Sequence, residues 1–362
     1  MKRPMRSNKG HRNLAAFMLV ISACSPACAK ANASPALTCT SSAEKTATAR
    51  APVEAYALVD LPNASGVHEL SGTSFDPKTR TLYAIEDKAP TIVSLVASPD
   101  YRSWSVGEQL PLSGYLGNAW DGEALVRLAD GSFDAVANES EPVLAHFDAR
   151  GAFVRTINVP SDYDGKQVSN KGLESLTLSP DARFMFSANE AALIPDGPRA
   201  SKTRGTIVRI WRRDLTTSKD EEFAYRTEPL GDGIGGDMGV SELAALSRDE
   251  LLVLERGYQP GYGNTARIFH IHLTGAKDIS KIALEGDATP TLQKTLVVDV
   301  ATLHCPGVTH PGAQPNPILE NYEAMTVGPT LPDGRHLLFL TSDDNARADQ
   351  VTRILVLALA SL

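Results

Sequence analysis

Gly172-Leu173-Glu174-Ser175-Leu176-Thr177-Leu178-Ser179-Pro180-Asp181-Ala182-Arg183-Phe184-Met185-Phe186-Ser187-Ala188-Asn189-Glu190 contains the pattern from which the whole chain can be read. Leu173–Leu178 and Phe184–Ala188 are short apolar runs of strand character. Between them, Ser179-Pro180-Asp181 supplies the residues that tight turns favour, through a preset φ or side-chain bonds to the backbone. Glu174 heads the first strand and Glu190 ends the second. This unit returns five times. The copies begin at Ser71-Gly72, Gly122-Glu123, Leu173-Glu174, Ser241-Glu242 and Tyr322-Glu323. They end on Glu86-Asp87, Glu139, Glu190, Glu255 and Asp343-Asp344. The turns recur too, as Asp76-Pro77-Lys78, Ala129-Asp130-Gly131, Ser247-Arg248-Asp249 and Leu331-Pro332-Asp333-Gly334.

Working outward, a strand can be assigned before and after each unit, so the strands fall into groups of four. The first group takes Ala55–Leu61, Gly72–Phe75, Thr81–Ile85 and Thr91–Val96. The second takes Trp104–Gln109, Ala124–Leu128, Ser132–Ala137 and Pro142–Asp148. The third adds Phe153–Val159 before the quoted stretch and Thr206–Trp211 after it. The fourth takes Phe223–Thr227, Glu242–Leu246, Leu251–Leu254 and Arg267–Leu273. The fifth takes Lys294–Val300, Ala324–Val327, His336–Leu340 and Thr352–Leu357. No window has the period of a long amphipathic helix. A repeated unit that cannot bury its own faces predicts an all-β propeller of four-stranded antiparallel blades. Five blades are legible, and a sixth from the N-terminal arm or residues 275–294 remains open.

In a propeller, equivalent residues of successive blades form rings around the central channel. Glu123, Glu174, Glu242 and Glu323 make one expected ring, with Ser71 in the first unit. Glu86, Glu139, Glu190, Glu255 and Asp343 make a second. Carboxylates crowded together must protonate, pair with cations or bind a metal. Hard oxygen donors without a His or Cys cluster suit calcium, with magnesium or manganese behind it. Asn138, Asn189 and Asn345 could add neutral oxygen ligands. Lys88, Lys171 and Arg256 could pair the acids or hold an anionic substrate. An architectural alternative stays open, in which these acids only knit blade to blade.

Other motifs carry less. Gly231–Gly236 is glycine-rich, but no helix pattern follows it, which argues against nucleotide binding. No Gly-x-Ser-x-Gly elbow occurs. Asp162-Tyr163-Asp164-Gly165 lacks a third acidic position and reads as a turn. His270 and His272 share a strand face and read as packing or surface residues; a role for His304 and His310 beside Cys305 is weakly supported. Trp120-Asp121 does not repeat as a WD signature.

The chain has 362 residues, 42% apolar and 22% charged, as expected of a folded globular protein. Residues 1–23 stand apart: a basic start (Lys2, Arg3, Arg6, Lys9, Arg12) precedes the apolar run Leu14–Ala23, as in an export signal. Ile21-Ser22-Ala23-Cys24 matches a lipobox, which would lipidate Cys24 and provide the expected membrane contact. Ala27-Cys28-Ala29 and Ala31-Asn32-Ala33 are competing ordinary cleavage sites. The expected location is the periplasm or outer membrane of a bacterium. Removing the signal takes the net charge from −8 to −13, which argues against a nucleic-acid partner. Residues 24–52, rich in Ala, Ser, Thr and Pro, read as a tether, and 53–362 as the propeller. Of four cysteines, Cys39 and Cys305 remain for one disulfide, the alternative being two free thiols. A monomer is expected.

Several stretches together resemble the bacterial phytase-like family described as having esterase-like activity of phytase. They are Leu70-Ser71-Gly72 with Tyr83-Ala84-Ile85-Glu86-Asp87, and Asn170-Lys171-Gly172-Leu173-Glu174-Ser175 with Ala188-Asn189-Glu190. The others are Val240-Ser241-Glu242-Leu243 with Leu254-Glu255-Arg256-Gly257, and Asn321-Tyr322-Glu323-Ala324-Met325 with Ser342-Asp343-Asp344-Asn345. The resemblance covers roughly residues 55–360. It implies calcium held by Glu86, Glu174, Glu190, Glu242, Glu255, Glu323 and Asp343, with Lys88 and Arg256 on substrate phosphate. The implied chemistry is metal-assisted hydrolysis of a small anionic or other ester. A non-catalytic propeller that binds a ligand or protein at the same mouth is the alternative.

Overall fold

The computed structural model describes residues 36–39, 52–62, 65–115, 120–138, 142–231, 235–284 and 286–362. The expected signal segment, Cys24, Cys28, most of the expected tether and Glu139 lie outside the described residues. Two strands come first, β1 (Leu37–Thr38) and β2 (Val53–Asp60). Blade 1 follows as β3 (Leu70–Asp76), β4 (Thr81–Glu86), β5 (Thr91–Ala97) and β6 (Trp104–Pro111). Blade 2 is β7 (Ala124–Arg127), β8 (Phe133–Asn138), β9 (Val143–Phe147) and β10 (Phe153–Ile157). Blade 3 is β11 (Thr177–Leu178), β12 (Phe184–Ala188), β13 (Ile207–Asp214) and β14 (Lys219–Arg226). Blade 4 is β15 (Asp237–Ala245), β16 (Glu250–Gln259), β17 (Gly263–His272) and β18 (Lys294–Asp299). Blade 5 begins with β19 (Tyr322–Thr330), β20 (His336–Ser342) and β21 (Arg353–Leu359), and β2 completes it from the N-terminal side.

The turns form for local reasons visible in the sequence. The carboxylates of Asp76, Asp130, Asp181 and Asp333 each accept a bond from the backbone amide two residues on. Blade boundaries differ from the sequence grouping by one strand. Each strand assigned to the head of a group is the outer strand of the preceding blade, and Ala55–Leu61 lies in β2 of blade 5. A hairpin connects neighbours within a blade at lower chain cost than a crossing between blades. The ring is then closed by β2, with the short β1 paired along its outer edge.

Both faces of every blade are covered. Five separate apolar clusters fill the five gaps between neighbouring blades. Leu252, Leu254 and Ile268 of blade 4 meet Met325, Leu338 and Leu355 of blade 5; Phe186 and Val208 of blade 3 meet Leu251 and Val253 of blade 4. Five gaps for five blades leave no place for a sixth. Residues 275–284 and 286–293 instead run along the outer edge of blade 3, where Ile279 donates to Glu222 and Leu292 to Ala224. Arg209 fastens this crossing with bonds to Asp196 and Glu222 and to the Ile279 and Ile282 carbonyls.

At the closing seam, Asp60 is the register partner of Arg353 and receives two of its bonds, at 2.6 and 2.9 Å. A disulfide joins Cys39, just after β1, to Cys305, in the loop after β18. Both cysteines lie in the cluster between blades 4 and 5.

Candidate functional site

Strand register decides which acidic residues meet at the mouth. In blade 5, Tyr322 pairs with Ser342, and Glu323 bulges out before Ala324 pairs with Thr341. In blade 4, Val240 pairs with Glu255 and Ser241 takes the bulge, before Glu242 pairs with Leu254. In blade 3 the equivalent bridge is Leu173 with Asn189, and in blade 1 it is Leu70 with Glu86. One backbone bond recurs just above these pairs: Asp87 donates to Glu69, Glu190 to Gly172 and Asp343 to Asn321. The equivalent first positions are therefore Ser71, Glu174, Ser241 and Glu323. The second positions are Asp87, Glu190, Arg256 and Asp343. A bulge re-aims the extra side chain, and a one-residue shift turns every side chain to the other face.

Glycines let the blades approach closely there. Gly122 donates to the Asp87 carbonyl and Val240 to the Glu190 carbonyl, each across a gap between blades. A Cβ on Gly239 would sit 2.6 Å from the Glu190 carbonyl oxygen, and one on Gly122 2.7 Å from that of Glu86. Adding a side chain at either position would push the rim apart.

One half of the rim mixes charges. Arg256 Nη2 lies 3.2 Å from Glu190 Oε1 and 3.4 Å from Glu323 Oε1, and Nη1 donates to Asn321 Oδ1 at 2.9 Å. Lys171 Nζ lies 2.5 Å from Glu190 and 3.0 Å from Asp237, which also takes Arg199. Glu174 is buried beside Lys171 and Arg256 and acts on the charge of both. Burial opposes the charged form of Lys171, yet the acids around it, Glu190 foremost, hold its pKa above the usual range.

The other half is acid-rich. Asp87, Asp121 and Glu123 each place an oxygen within 4.8 Å of the other two. Lys88 bonds Asp87 at 2.8 Å and Asp121 at 2.7 Å, while its side chain stays half exposed at the lip. Burial pushes Asp87 up to about 7, with Lys88 pulling the other way and Asp121 and Glu323 adding to the rise. Asp343 is pushed up to about 9, by burial first and then by Glu323, Asp87 and Asp344. Glu323 is raised by burial despite Arg256. Acids outnumber bases here, and burial together with their mutual repulsion favours their protonated forms.

Of the residues expected at this site, Glu174, Glu190, Glu323 and Asp343 come together, with Arg256 among them and Lys88 at the lip. Glu242, Glu255 and Glu86 sit one register position away. Glu242 is fully buried between blades 3 and 4, where Oε1 accepts from Leu176 at 3.2 Å and Leu243 at 2.9 Å. Glu255 accepts from Tyr225 Oη, the Glu228 amide and Lys294. Glu86 faces Thr91, His68 and Glu69, and burial raises its pKa. These three act as ties between or within blades. Asp87, Asp121 and Asp237 are site residues that the sequence reading passed over. Their signal was adjacency, since Asp87 follows Glu86 and Asp121 stands two residues before Glu123.

Beside the rim lies a cavity of about 430 Å³ that includes Lys171, Asp237, Arg256, Asn321, Glu323 and Asn345 in its wall. All donors on the acid-rich side are carboxylate oxygens, the set that suits calcium.

A five-bladed β-propeller with a buried, charge-rich mouth is the class these features define. The chain belongs to the phytase-like family described as esterase-like activity of phytase, which it matches over residues 65–346. No curated protein sequence matches it. Solved structures that resemble it include an endo-arabinase from Bacteroides thetaiotaomicron, at 10% identity over 80% of this chain and 94% of that one, TM-score 0.43. A luciferin-regenerating enzyme matches at 14% identity over 86% and 95%, TM-score 0.38. The calcium-binding protein regucalcin from Agrobacterium tumefaciens matches at 12% over 81% and 91%, TM-score 0.39.

Proposed function

We propose that this protein is an exported, calcium-dependent hydrolase of small anionic esters, phosphoesters first, working at the acid-rich half of the mouth. The observation that carries the reading is the convergence of Asp87, Asp121 and Glu123, with ligand atoms within 4.8 Å of one another. Glu323 and Asp343 from blade 5 would complete the oxygen set. Bound there, calcium would offset the charge on a phosphate and lower the pKa of a water. Lys88, half exposed at the lip, would hold an oxygen of the anionic group. Arg256 and Lys171 both pair with Glu190 and would hold it in place, with Glu174 buried beside them. Asp343, pushed up to about 9 in the metal-free site, would give up its proton as calcium binds.

Export through residues 1–23, with Cys24 as the lipid anchor, belongs to the same proposal. The Cys39–Cys305 bond supports an oxidising compartment.

The test is calorimetric calcium titration of the metal-stripped full chain, with hydrolysis of an aryl phosphate and an aryl acetate measured with and without chelator. Saturable calcium binding and chelator-sensitive turnover, both lost in Asp121→Asn, are expected. Calcium binding without turnover would leave a ligand-binding propeller. No binding up to about millimolar calcium, the weak limit for extracellular sites, would remove the metal mechanism.

A further inference from the structure

We propose a second metal site, at the opposite end of the ring from the mouth. It is formed by Glu250, His270 and His272 and suits a divalent transition-metal ion of the zinc class.

The three residues converge because of blade 4's register. Glu250 opens β16 and lies directly opposite His272 of β17, and His270 stands two residues earlier on the same strand. Residues i and i+2 of a strand share a face, and so do direct cross-strand partners. One ligand atom from each of the three lies within 4.8 Å of the others. His272 Nδ1 is 3.3 Å from Glu250 Oε1. That is about the spacing of two ligands sharing a tetrahedral ion with bonds of about 2.0–2.1 Å. The two imidazoles lie 4.5 Å apart between centroids, and His270 Nε2 is buried with no hydrogen-bond partner among the described residues. A buried ring nitrogen without a partner calls for an explanation in chemistry.

The donor set separates this site from the mouth. Two imidazole nitrogens and one carboxylate suit zinc, copper or nickel, whereas calcium takes oxygen alone. Access is open, as the side chains of His272 and Glu250 are 60% and 42% exposed. Glu250 also lines a cavity of about 710 Å³ walled by inner-strand residues of all five blades, including Thr73, Val126, Thr177, Ala245 and Val327. An ion here would clamp the start of β16 to the end of β17, and water would complete its shell.

The experiment uses the full chain, free of any histidine tag and stripped of metal. Zinc is titrated by calorimetry, cobalt(II) by visible absorption, and the melting temperature is followed with each. The expected result is one saturating zinc per chain, a rise in melting temperature and a cobalt spectrum with nitrogen ligation. Affinity should fall at least about 10-fold in His272→Ala and in Glu250→Gln, while Asp121→Asn keeps it. Because His272 is exposed, its replacement should leave the circular dichroism spectrum unchanged. Equal zinc affinity in His272→Ala and the parent, or no saturable zinc binding, would overturn the site. Loss of zinc binding in Asp121→Asn alone would assign the zinc to the mouth and overturn it as well.

Discussion

Arg256 of blade 4 donates to Glu190 of blade 3 at 3.2 Å, and the two residues occupy equivalent positions of their blades. Where blades 1, 3 and 5 present a carboxylate, blade 4 presents a guanidinium. Across these four blades the position is acidic three times and cationic once.

Removing that cation should be costly, because it takes away the guanidinium that Glu190 and Glu323 share and leaves Lys171 alone on Glu190. Arg256→Ala is expected to destabilise the protein by about 3–5 kcal/mol. Arg256→Lys should recover little, since an ammonium cannot reproduce the fork that spans Glu190, Glu323 and Asn321. Thermal melts of both variants and of the double change Arg256→Gln/Glu190→Gln test this. The double variant should melt closer to the parent than Arg256→Ala does.

The raised carboxyls predict how stability follows pH. Asp343, near 9, and Asp87, near 7, hold protons in the folded chain that an unfolded carboxyl loses near 3.8. From about pH 4 upward the native state then binds more protons than the unfolded one, so these groups lower stability as pH rises towards 9. In chelator, the melting temperature should fall across pH 5–9. Asp343→Asn should flatten the upper part of that fall, and calcium should reverse it by taking the place of the protons. A metal-free protein that grows more stable between pH 7 and 9 would contradict the charge surplus at the mouth.

Glu242 offers a contrast within the same repeated motif. Burial raises its pKa far above the carboxylate range, and its oxygen accepts from two backbone amides. Glu242→Gln keeps a carbonyl for those amides and should change stability by less than about 1 kcal/mol, with calcium binding intact. Glu242→Ala leaves two donors unmatched and should cost about 2–5 kcal/mol. Calcium titration and melting of the pair separate a tie between blades from a ligand.

Disulfide removal should act on the whole ring. The bond spans 266 positions of sequence. Constraint of so long a loop in the unfolded chain predicts a loss of about 2–5 kcal/mol on reduction or in Cys305→Ser. Denaturant melts with and without reductant measure it. A midpoint that reductant does not move would show that the bond contributes nothing.

The sequence carried the blades well but not their phase. Turn residues such as Asp130 and Asp181 act locally, so their roles were visible in the string itself. Phase was hidden because a blade packed on both faces loses the alternation that marks an inside and an outside. In β21 every residue from Arg353 to Leu359 is buried. With parity erased, Glu86 and Asp87 could not be told apart, and neither could Ser241 and Glu242. The bulges at Glu323 and Ser241 settle the matter, and a bulge has no composition of its own. The His270–His272 pair was visible as a pattern, but Glu250 joins it only through cross-strand register. Closure by β2 was equally invisible, since it depends on a pairing between the two ends of the fold.

That closure means a strand from the start of the fold waits for a partner from its end. Asp60 leaves the ribosome 293 residues before the Arg353 that will hold it, and blade 5 stays one strand short until β2 docks. Until then β2 has no β21 to pair with. Losing β2 or losing β21 would damage the same blade, so the fold checks its two ends against each other at a single join.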